Sequence, residues 1–334
     1  MNRTLLEIRG LKKYFPVRGG FFRRVVGQLK AVDDVSFEIP RGETFGLVGE
    51  SGCGKSTLGR AILRLHEPSA GQVVLDGTDI TALDRRALVA QRRNMQIIFQ
   101  DPYASLSPRR TVMQTLLEPM EIHRIGTPDS RRRKVRELLD IVGMSADILH
   151  RYPHEFSGGQ RQRIGIARAL TLDPKFIVAD EAVSALDVSV QSQVLNLIAR
   201  LQRELHISFL FISHDLAVVQ HISHQVGVMY LGRLVEIAPA VDLYRDPRHP
   251  YTRALLSAIP QPEPGRKSKR IILQGEVPSP LNPPSGCPFR TRCPEAMPIC
   301  AQQNPPLKKI HDGGHPHRVA CHLHVDEGVQ TNRG

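Results

Sequence analysis

The stretch Gly49-Glu50-Ser51-Gly52-Cys53-Gly54-Lys55-Ser56-Thr57 constrains this chain more than any other feature. It fits G-x-x-x-x-G-K-[ST] and follows a short apolar run, Phe45, Leu47 and Val48, that reads as a strand. After it, Leu58, Ala61, Ile62 and Leu65 recur at helical spacing. Strand, glycine-rich turn and helix form the context in which backbone amides curl around a phosphate while the helix N-terminus faces the same anion. In that geometry Lys55 bridges the β- and γ-phosphates of ATP, and Ser56 ligates Mg²⁺. Cys53 reads as a small filler inside the loop.

A second segment supports the same chemistry. Phe176-Ile177-Val178-Ala179-Asp180 is four apolar residues ending in an acid, a buried strand that delivers Asp180 to its C-terminal end. There Asp180 holds Mg²⁺ through water. Glu181 follows at once, a carboxylate placed to polarise an attacking water. Ser157-Gly158-Gly159-Gln160 precedes a helix carrying Ile164, Ala167 and Leu170, which makes another anion-binding helix start. Two phosphate sites on a chain with one phosphate loop make sense if the second completes the site of a partner chain.

Strands alternate with helices, so an α/β fold with a largely parallel sheet is expected. Val190, Val194, Leu197, Ile198, Leu201 and Leu205 mark an amphipathic helix, and Phe209–Ile212 another buried strand. Residues 72–98 read as a hairpin and a further apolar run, and 103–155 as mainly helical. The Gly- and Arg-containing segment between Val17 and Gln28 reads as an exposed loop.

At 334 residues the chain is long for one core and suits a large domain with a smaller one. Prolines crowd from Pro247 to Pro306, and four of the five cysteines fall between Cys287 and Cys321, which places the boundary near 245–260. Net charge is +12. That suits a nucleic-acid binder, a protein against an anionic membrane face, or a solvated basic surface. The basic groups (Arg23–Arg24, Arg85–Arg86, Arg131–Lys134, Arg266–Arg270) are dispersed, and no aromatics alternate with them. No nucleic-acid partner is therefore expected. No apolar run approaches the ~20 residues that span a bilayer, and Glu7 and Arg9 interrupt the first apolar stretch, which argues against a signal peptide. The expected compartment is the cytoplasm, with cysteines reduced.

Taken together, these motifs resemble the nucleotide-binding subunits of ABC transporters. The phosphate loop 49–57, the signature motif 156–160 and the acidic strand end 176–181 stand in the family's order. Ser184-Ala185-Leu186-Asp187 matches the D-loop, Gln100 after Ile97-Ile98-Phe99 the Q-loop, and His214 in Phe211-Ile212-Ser213-His214-Asp215 the switch histidine. Phe15 falls where the family places an adenine-stacking aromatic. The resemblance implies a P-loop NTPase cassette with a RecA-like core, an antiparallel β subdomain and a helical subdomain over about 103–170. It also implies catalysis by Glu181, His214, Lys55 and Gln100, with Gln100 joining Ser56 and Asp180 at Mg²⁺. Ser157–Gln160 and Asp187 would complete the nucleotide site across a head-to-tail dimer. One departure is Ala182, where the family usually carries proline; alanine is expected to loosen that turn without removing a catalytic group.

Beyond the cassette, Pro247-Arg248-His249-Pro250-Tyr251-Thr252 and Gly275–Pro284 are similar to the C-terminal extension of dipeptide and oligopeptide importer ATPases. The 17–28 insertion suits the second of the two paralogous ATPases in dipeptide systems. The implied organisation is a nucleotide-binding domain over 1–250 and a Cys/Pro-rich extension over 251–334. The implied function is ATP-driven dipeptide or oligopeptide import at the cytoplasmic face of the cell membrane. The implied partners are a paralogous ATPase, two transmembrane permease subunits and an extracytoplasmic peptide-binding protein. Nickel, glutathione and other peptide-like solutes are alternative cargoes, because importers of these share the extension. A non-transport ABC ATPase of nucleic-acid or translation machinery usually carries two cassettes or long coiled-coil insertions, which this chain lacks. A degenerate regulatory cassette conflicts with intact Lys55, Asp180, Glu181 and His214.

Cys287, Cys293, Cys300 and Cys321 are separated by five, six and twenty residues. No tight C-x₂₋₄-C pair of the structural-zinc kind is present. The wide spacing, with Pro288 and Pro294 beside two thiols, fits an iron–sulfur cluster better, and the family resemblance implies [4Fe-4S]. His311, His315, His317, His322 and His324 keep a mixed Cys/His zinc site as the alternative, and unligated thiols are the third possibility. A tail with little apolar content is expected to need such a staple.

Overall fold

The computed structural model describes residues 4–19, 24–259, 270–310 and 316–324. Arg23, residues 266–269, His311 and His315 therefore lie outside the described residues. The chain divides into two compact units. The first comprises Met1–Glu7, Glu38–Thr44 and Val74–Ser213, and the second Ile8–Phe37, Phe45–Val73 and His214–Gly334.

A four-stranded sheet has the order β2-β1-β4-β5, made of β1 (Thr4–Gly19), β2 (Arg24–Pro40), β4 (Ala70–Leu75) and β5 (Thr78–Asp79). Strict alternation in β2 explains the strand: Val35, Phe37 and Ile39 are buried while Ser36 and Glu38 point outward. β1 and β2 also correct the reading of 17–28 as a loop. The strands run to Gly19 and resume at Arg24, with Val25 and Val26 exposed on the arm.

In the first unit, β6 (Met95–Ile98), β7 (Phe176–Asp180) and β8 (Ser208–Ile212) are parallel, with Ile98 opposite Ala179 and Asp180 opposite Ile212. Every residue of β7 and β8 is buried. A parallel strand covered on both faces needs such an unbroken apolar run. Helices Val112–Ile122, Pro128–Ile141, Gly158–Leu170 and Val188–Leu205 complete the unit. The first three open on capping boxes made by Thr111/Gln114, Thr127/Ser130 and Ser157/Gln160, each satisfying two otherwise orphaned amides. Val194, Leu197, Ile198 and Leu201 are buried as their spacing requires. Leu205 instead is 46% exposed, because the helix stops at left-handed His206.

In the second unit, β3 (Thr44–Val48; Thr44 itself belongs to the first unit) lies parallel to β9 (Gln225–Tyr230), and β9 is antiparallel to β10 (Arg233–Pro239). The C-terminal extension then adds two strands, β12 (His317–Val319) against β10 and β11 (Lys308–Ile310) against β12. Ile310, Val319 and Phe289 are buried. The extension thus has strand pairing and apolar anchors of its own, beyond the staple expected from its composition.

One buried polar hub joins this extension to β10. Glu236 sits in the strand fully removed from solvent. Its carboxylate accepts the amides of Arg248 (2.7 Å) and His249 (3.0 Å), and it lies 2.7 Å from His317 Nε2. Burial pushes Glu236 up, but the bonds from His317 and the two amides outweigh it and hold the carboxyl below its usual range. His249, whose Nδ1 accepts the Tyr251 amide at 3.1 Å, is held down to about 4 by burial; Glu236 pulls the other way, while Arg253 and His324 add to the depression. Between pH 6.5 and 4 the unfolded chain then binds a proton that the folded chain refuses, so stability falls as pH drops. A shift of this size corresponds to roughly 3 kcal/mol lost across that window. Glu236 acts in the same direction, since a depressed carboxyl gives stability that is lost on acidification. Thermal unfolding followed from pH 7 to pH 4 is expected to show this decline. His249→Asn, which keeps an acceptor for the Tyr251 amide, is expected to flatten it, and an unchanged slope would remove His249 from the account.

Candidate active site

The phosphate loop follows β3 and runs into the helix Lys55–Ile62. Gly54 forms that helix's N-cap at φ 107°, and a Cβ there would lie 2.0 Å from the Ala31 carbonyl oxygen. Only glycine fits, for both conformation and space. No side chain caps the helix, whose N-terminus carries the positive end of its dipole. Lys55 is 4% exposed, and its Nζ donates to the carbonyls of Gly49 (2.7 Å) and Glu50 (3.0 Å). The ammonium is thereby held inside the curl of its own loop. Cys53 is buried below the loop, and burial raises its thiol pKa despite the nearby Lys55. Ser51 and Gly52 are exposed at the tip, while Ser56 and Thr57 are half-buried in the first helical turn.

Phe15, in β1, is half-buried. Lys13 Nζ lies 4.8 Å from its ring centroid, and His66 meets it edge-on at 5.5 Å. His214 is exposed just beyond β8, where Asp215 caps the helix Leu216–Ile222 by accepting the Ala217 amide at 2.9 Å.

In the first unit, Asp180 ends β7 and is 2% exposed. Glu181 takes a left-handed φ of 48°, its amide donating to the Ile212 carbonyl at 3.0 Å. A non-glycine residue there carries strain of order 1–3 kcal/mol, a feature concentrated at functional sites. The turn turns the carboxylate outward, where its Oε2 accepts from Gln100 Nε2 at 2.9 Å. The structure thus brings together two of the sequence-derived candidates, 81 positions apart. Past Glu181, Ala182 is buried, and the Ser184 amide (3.1 Å) and hydroxyl (3.0 Å) both donate to the Glu181 carbonyl, closing the turn.

Ser157 caps the helix Gly158–Leu170: its Oγ accepts the Gln160 amide at 3.3 Å, and Gln160 Oε1 accepts the Ser157 amide at 3.0 Å. Gly159 is there for space, since a Cβ would sit 2.3 Å from Val190 Cγ1. Asp187 is the N-cap of Val188–Leu205 without a side-chain capping bond.

In the extension, the Cys287 amide donates to the Cys300 carbonyl at 2.8 Å. Burial, with Cys300 and Cys293 nearby, pushes the Cys287 thiol up to about 11. Cys321 is likewise raised to about 11 by burial and by the other three thiols. The four sulfurs therefore stand within electrostatic reach of one another. Among the described residues, no group of three or more His, Cys, Asp and Glu side chains is arranged to hold a metal ion. Of the described histidines, His317 Nε2 lies 2.7 Å from Glu236, His322 Nε2 lies 2.9 Å from the Gln303 carbonyl and His324 Nε2 lies 3.2 Å from the Arg248 carbonyl.

Sequence reasoning missed three residues. Glu236 was signalled only as an acid inside an apolar strand, Tyr251 only as part of a motif, and Arg292 not at all. Tyr251 Oη accepts the Glu50 amide at 2.9 Å, and Arg292 donates twice to the Glu50 carboxylate at 2.7 and 3.0 Å.

Residues 32–184 match the family "ABC transporter", and residues 235–300 match "Oligopeptide/dipeptide transporter, C-terminal region". The Oligopeptide transport ATP-binding protein AppF of Bacillus subtilis is 55% identical over 97% of this chain and 98% of its own length. The Putative oligopeptide transport ATP-binding protein YkfD of the same organism is 59% identical over 96% of this chain and 95% of its own. Among solved structures, the dimeric ATP-binding cassette MJ0796 bound to ADP and Pi aligns with a TM-score of 0.63 at 26% identity, covering 71% of this chain and 99% of that one. CbiO1 of Clostridium perfringens aligns with the same TM-score of 0.63 at 25% identity, over 73% and 91%. Among the described residues no helix is long and apolar enough to cross a membrane. The chain belongs to the ATP-hydrolysing cassettes of the ABC transporter family and carries the C-terminal region of that family's oligopeptide/dipeptide branch.

Proposed function

We propose that this chain powers the import of dipeptides or oligopeptides across the cell membrane, bound to the membrane's cytoplasmic face. The observation that carries the catalytic half of this reading is the Gln100–Glu181 hydrogen bond, on a glutamate that follows a buried metal-type aspartate. Lys55 and the loop amides 49–57 grip the phosphates of ATP, and Phe15 stacks on its base. Glu181 takes the proton of the attacking water, and His214 contacts the γ-phosphate. Ser56, Asp180 and Gln100 offer the hard oxygen donors that would hold Mg²⁺, which would supply charge neutralisation for the phosphates. Because Gln100 spends its amide nitrogen on Glu181, its carbonyl oxygen stays free for that donor set.

Ser157, Gly158, Gly159, Gln160 and Asp187 serve the nucleotide of a second cassette in a head-to-tail dimer. That partner is a paralogue, and the pair seats two permease subunits near Gln100, fed by an extracytoplasmic peptide-binding protein. Residues 1–250 act as the nucleotide-binding domain, with a helical subdomain over 103–170, and 251–334 as the extension. Affinity purification from solubilised membranes is expected to recover two multi-spanning subunits and a second cassette with this chain. Recovery in an assembly free of membrane subunits would contradict the reading.

Cys287, Cys293, Cys300 and Cys321 are the residues that would hold a [4Fe-4S] cluster. Four cysteines within one short segment supply the four thiolate ligands that such a cluster takes. The cluster would tie the extension together. Anaerobically prepared protein is expected to contain about four irons per chain, lost in Cys293→Ser. Stoichiometric zinc without iron, or neither metal, would rule the cluster out.

A further inference from the structure

Glu50, the second residue of the phosphate loop, is held at every polar group it owns. Its carbonyl accepts from Lys55 Nζ at 3.0 Å and from the Cys53 amide at 3.3 Å, both inside the loop. Its other two holds come from the C-terminal extension. The backbone amide donates to Tyr251 Oη at 2.9 Å, and the carboxylate receives both arms of the Arg292 guanidinium at 2.7 and 3.0 Å. Tyr251 is fully buried, packed 4.8 Å from the Tyr230 ring and 5.3 Å from Phe289. The Arg292 side chain is 8% exposed. The Glu50 side chain is 27% exposed, and the pair is bidentate, the geometry in which an arginine fixes a carboxylate in position as well as attracting it.

A loop with glycines at 49, 52 and 54 has little stiffness of its own, and an amide cradle acts only when its amides already point inward. We propose that Arg292 is a positioning residue for ATP binding: from the segment between Cys287 and Cys293 it clamps Glu50 and so sets the phosphate loop's shape. The segment carrying it is compact. The Arg292 amide donates to the Phe289 carbonyl at 3.0 Å, the Arg290 amide to Cys287 at 3.1 Å, and the Cys287 amide to Cys300 at 2.8 Å. Unravelling that turn withdraws Arg292, so ATP affinity senses the integrity of the cysteine-bearing tail. This rests on the assignment of 49–57 as the nucleotide loop, and ATP binding by the unmodified protein checks that assignment separately.

The test is a double-mutant cycle in the assembled complex, using Arg292→Met, Glu50→Gln and both together, with ATP KM, kcat and melting temperature measured for each. Each single change is expected to raise KM for ATP about tenfold, with a much smaller effect on kcat, since misplacing a binding element costs on the order of ten- to a hundredfold. The double variant is expected to be no worse than the poorer single one. Arg292→Lys, which keeps the charge but loses the fork, is expected to fall between. Cys293→Ser is expected to reproduce the KM shift without adding to that of Arg292→Met. A lower melting temperature with unchanged KM would reduce Arg292 to a structural tie and overturn the proposal, and so would additive effects of the two single changes.

Discussion

Glu181→Gln is expected to lower steady-state ATP turnover by about 10²–10⁴-fold while leaving ATP affinity within a few-fold of the unmodified protein. The substitution keeps the size and shape of the side chain. Its amide oxygen can still accept from Gln100 Nε2, which lies 2.9 Å from Oε2 in the native contact. The left-handed turn at φ 48° and the amide bond to Ile212 involve only backbone, so they persist. What disappears is the basicity that takes a proton from water. Lys55 and the loop amides are untouched, so binding survives. The decisive pair of measurements is ATPase rate and nucleotide affinity on the same preparation. Turnover within a few-fold of the unmodified protein would remove Glu181 as the base.

Gly54→Ala is expected to weaken ATP binding by about a hundredfold. The new methyl would lie 2.0 Å from the Ala31 backbone oxygen, at a φ of 107° that L-residues rarely adopt. The Met229 methyl, 3.1 Å away, can move aside, but the Ala31 backbone cannot, so the loop must shift. Strain and displacement of roughly 3 kcal/mol correspond to that loss. Gly165→Ala, in the helix Gly158–Leu170, is the control: its added methyl meets nothing within 4 Å, and alanine favours helix over glycine by about 1 kcal/mol. Isothermal titration with ATP separates the two, and equal affinities for both variants would show that the cradle does not depend on Gly54.

The parts of this molecule written in local chemistry were legible before any coordinates. The phosphate loop is a run of adjacent residues whose glycines have one structural meaning. The buried strands Phe176–Asp180 and Ser208–Ile212 announce themselves as apolar runs, and the helix Val188–Leu205 by its period. Where reading failed, the cause was remote. The glycines and arginines near 20 suggested a loop, yet Val25 and Val26 continue an exposed strand arm. Glu236 is one acid in the apolar strand RLVEIAP, and nothing local tells that His317, 81 positions on, meets it. Arg292 and Glu50 are 242 positions apart. The extension looked too poor in apolar residues to fold alone because β12 leans on the edge of β10 and β11 on β12, pairings that proline and cysteine content cannot reveal.

The central claim is that ATP hydrolysis by this chain drives peptide into the cell. The most direct measurement is uptake of a labelled peptide by proteoliposomes that hold the complete transporter, with ATP enclosed and the binding protein outside. Accumulation that requires enclosed ATP, and that vanishes with Glu181→Gln, is the result expected here. Steady ATP hydrolysis with no peptide accumulating, whether the cargo offered is a dipeptide or a longer peptide, would contradict it.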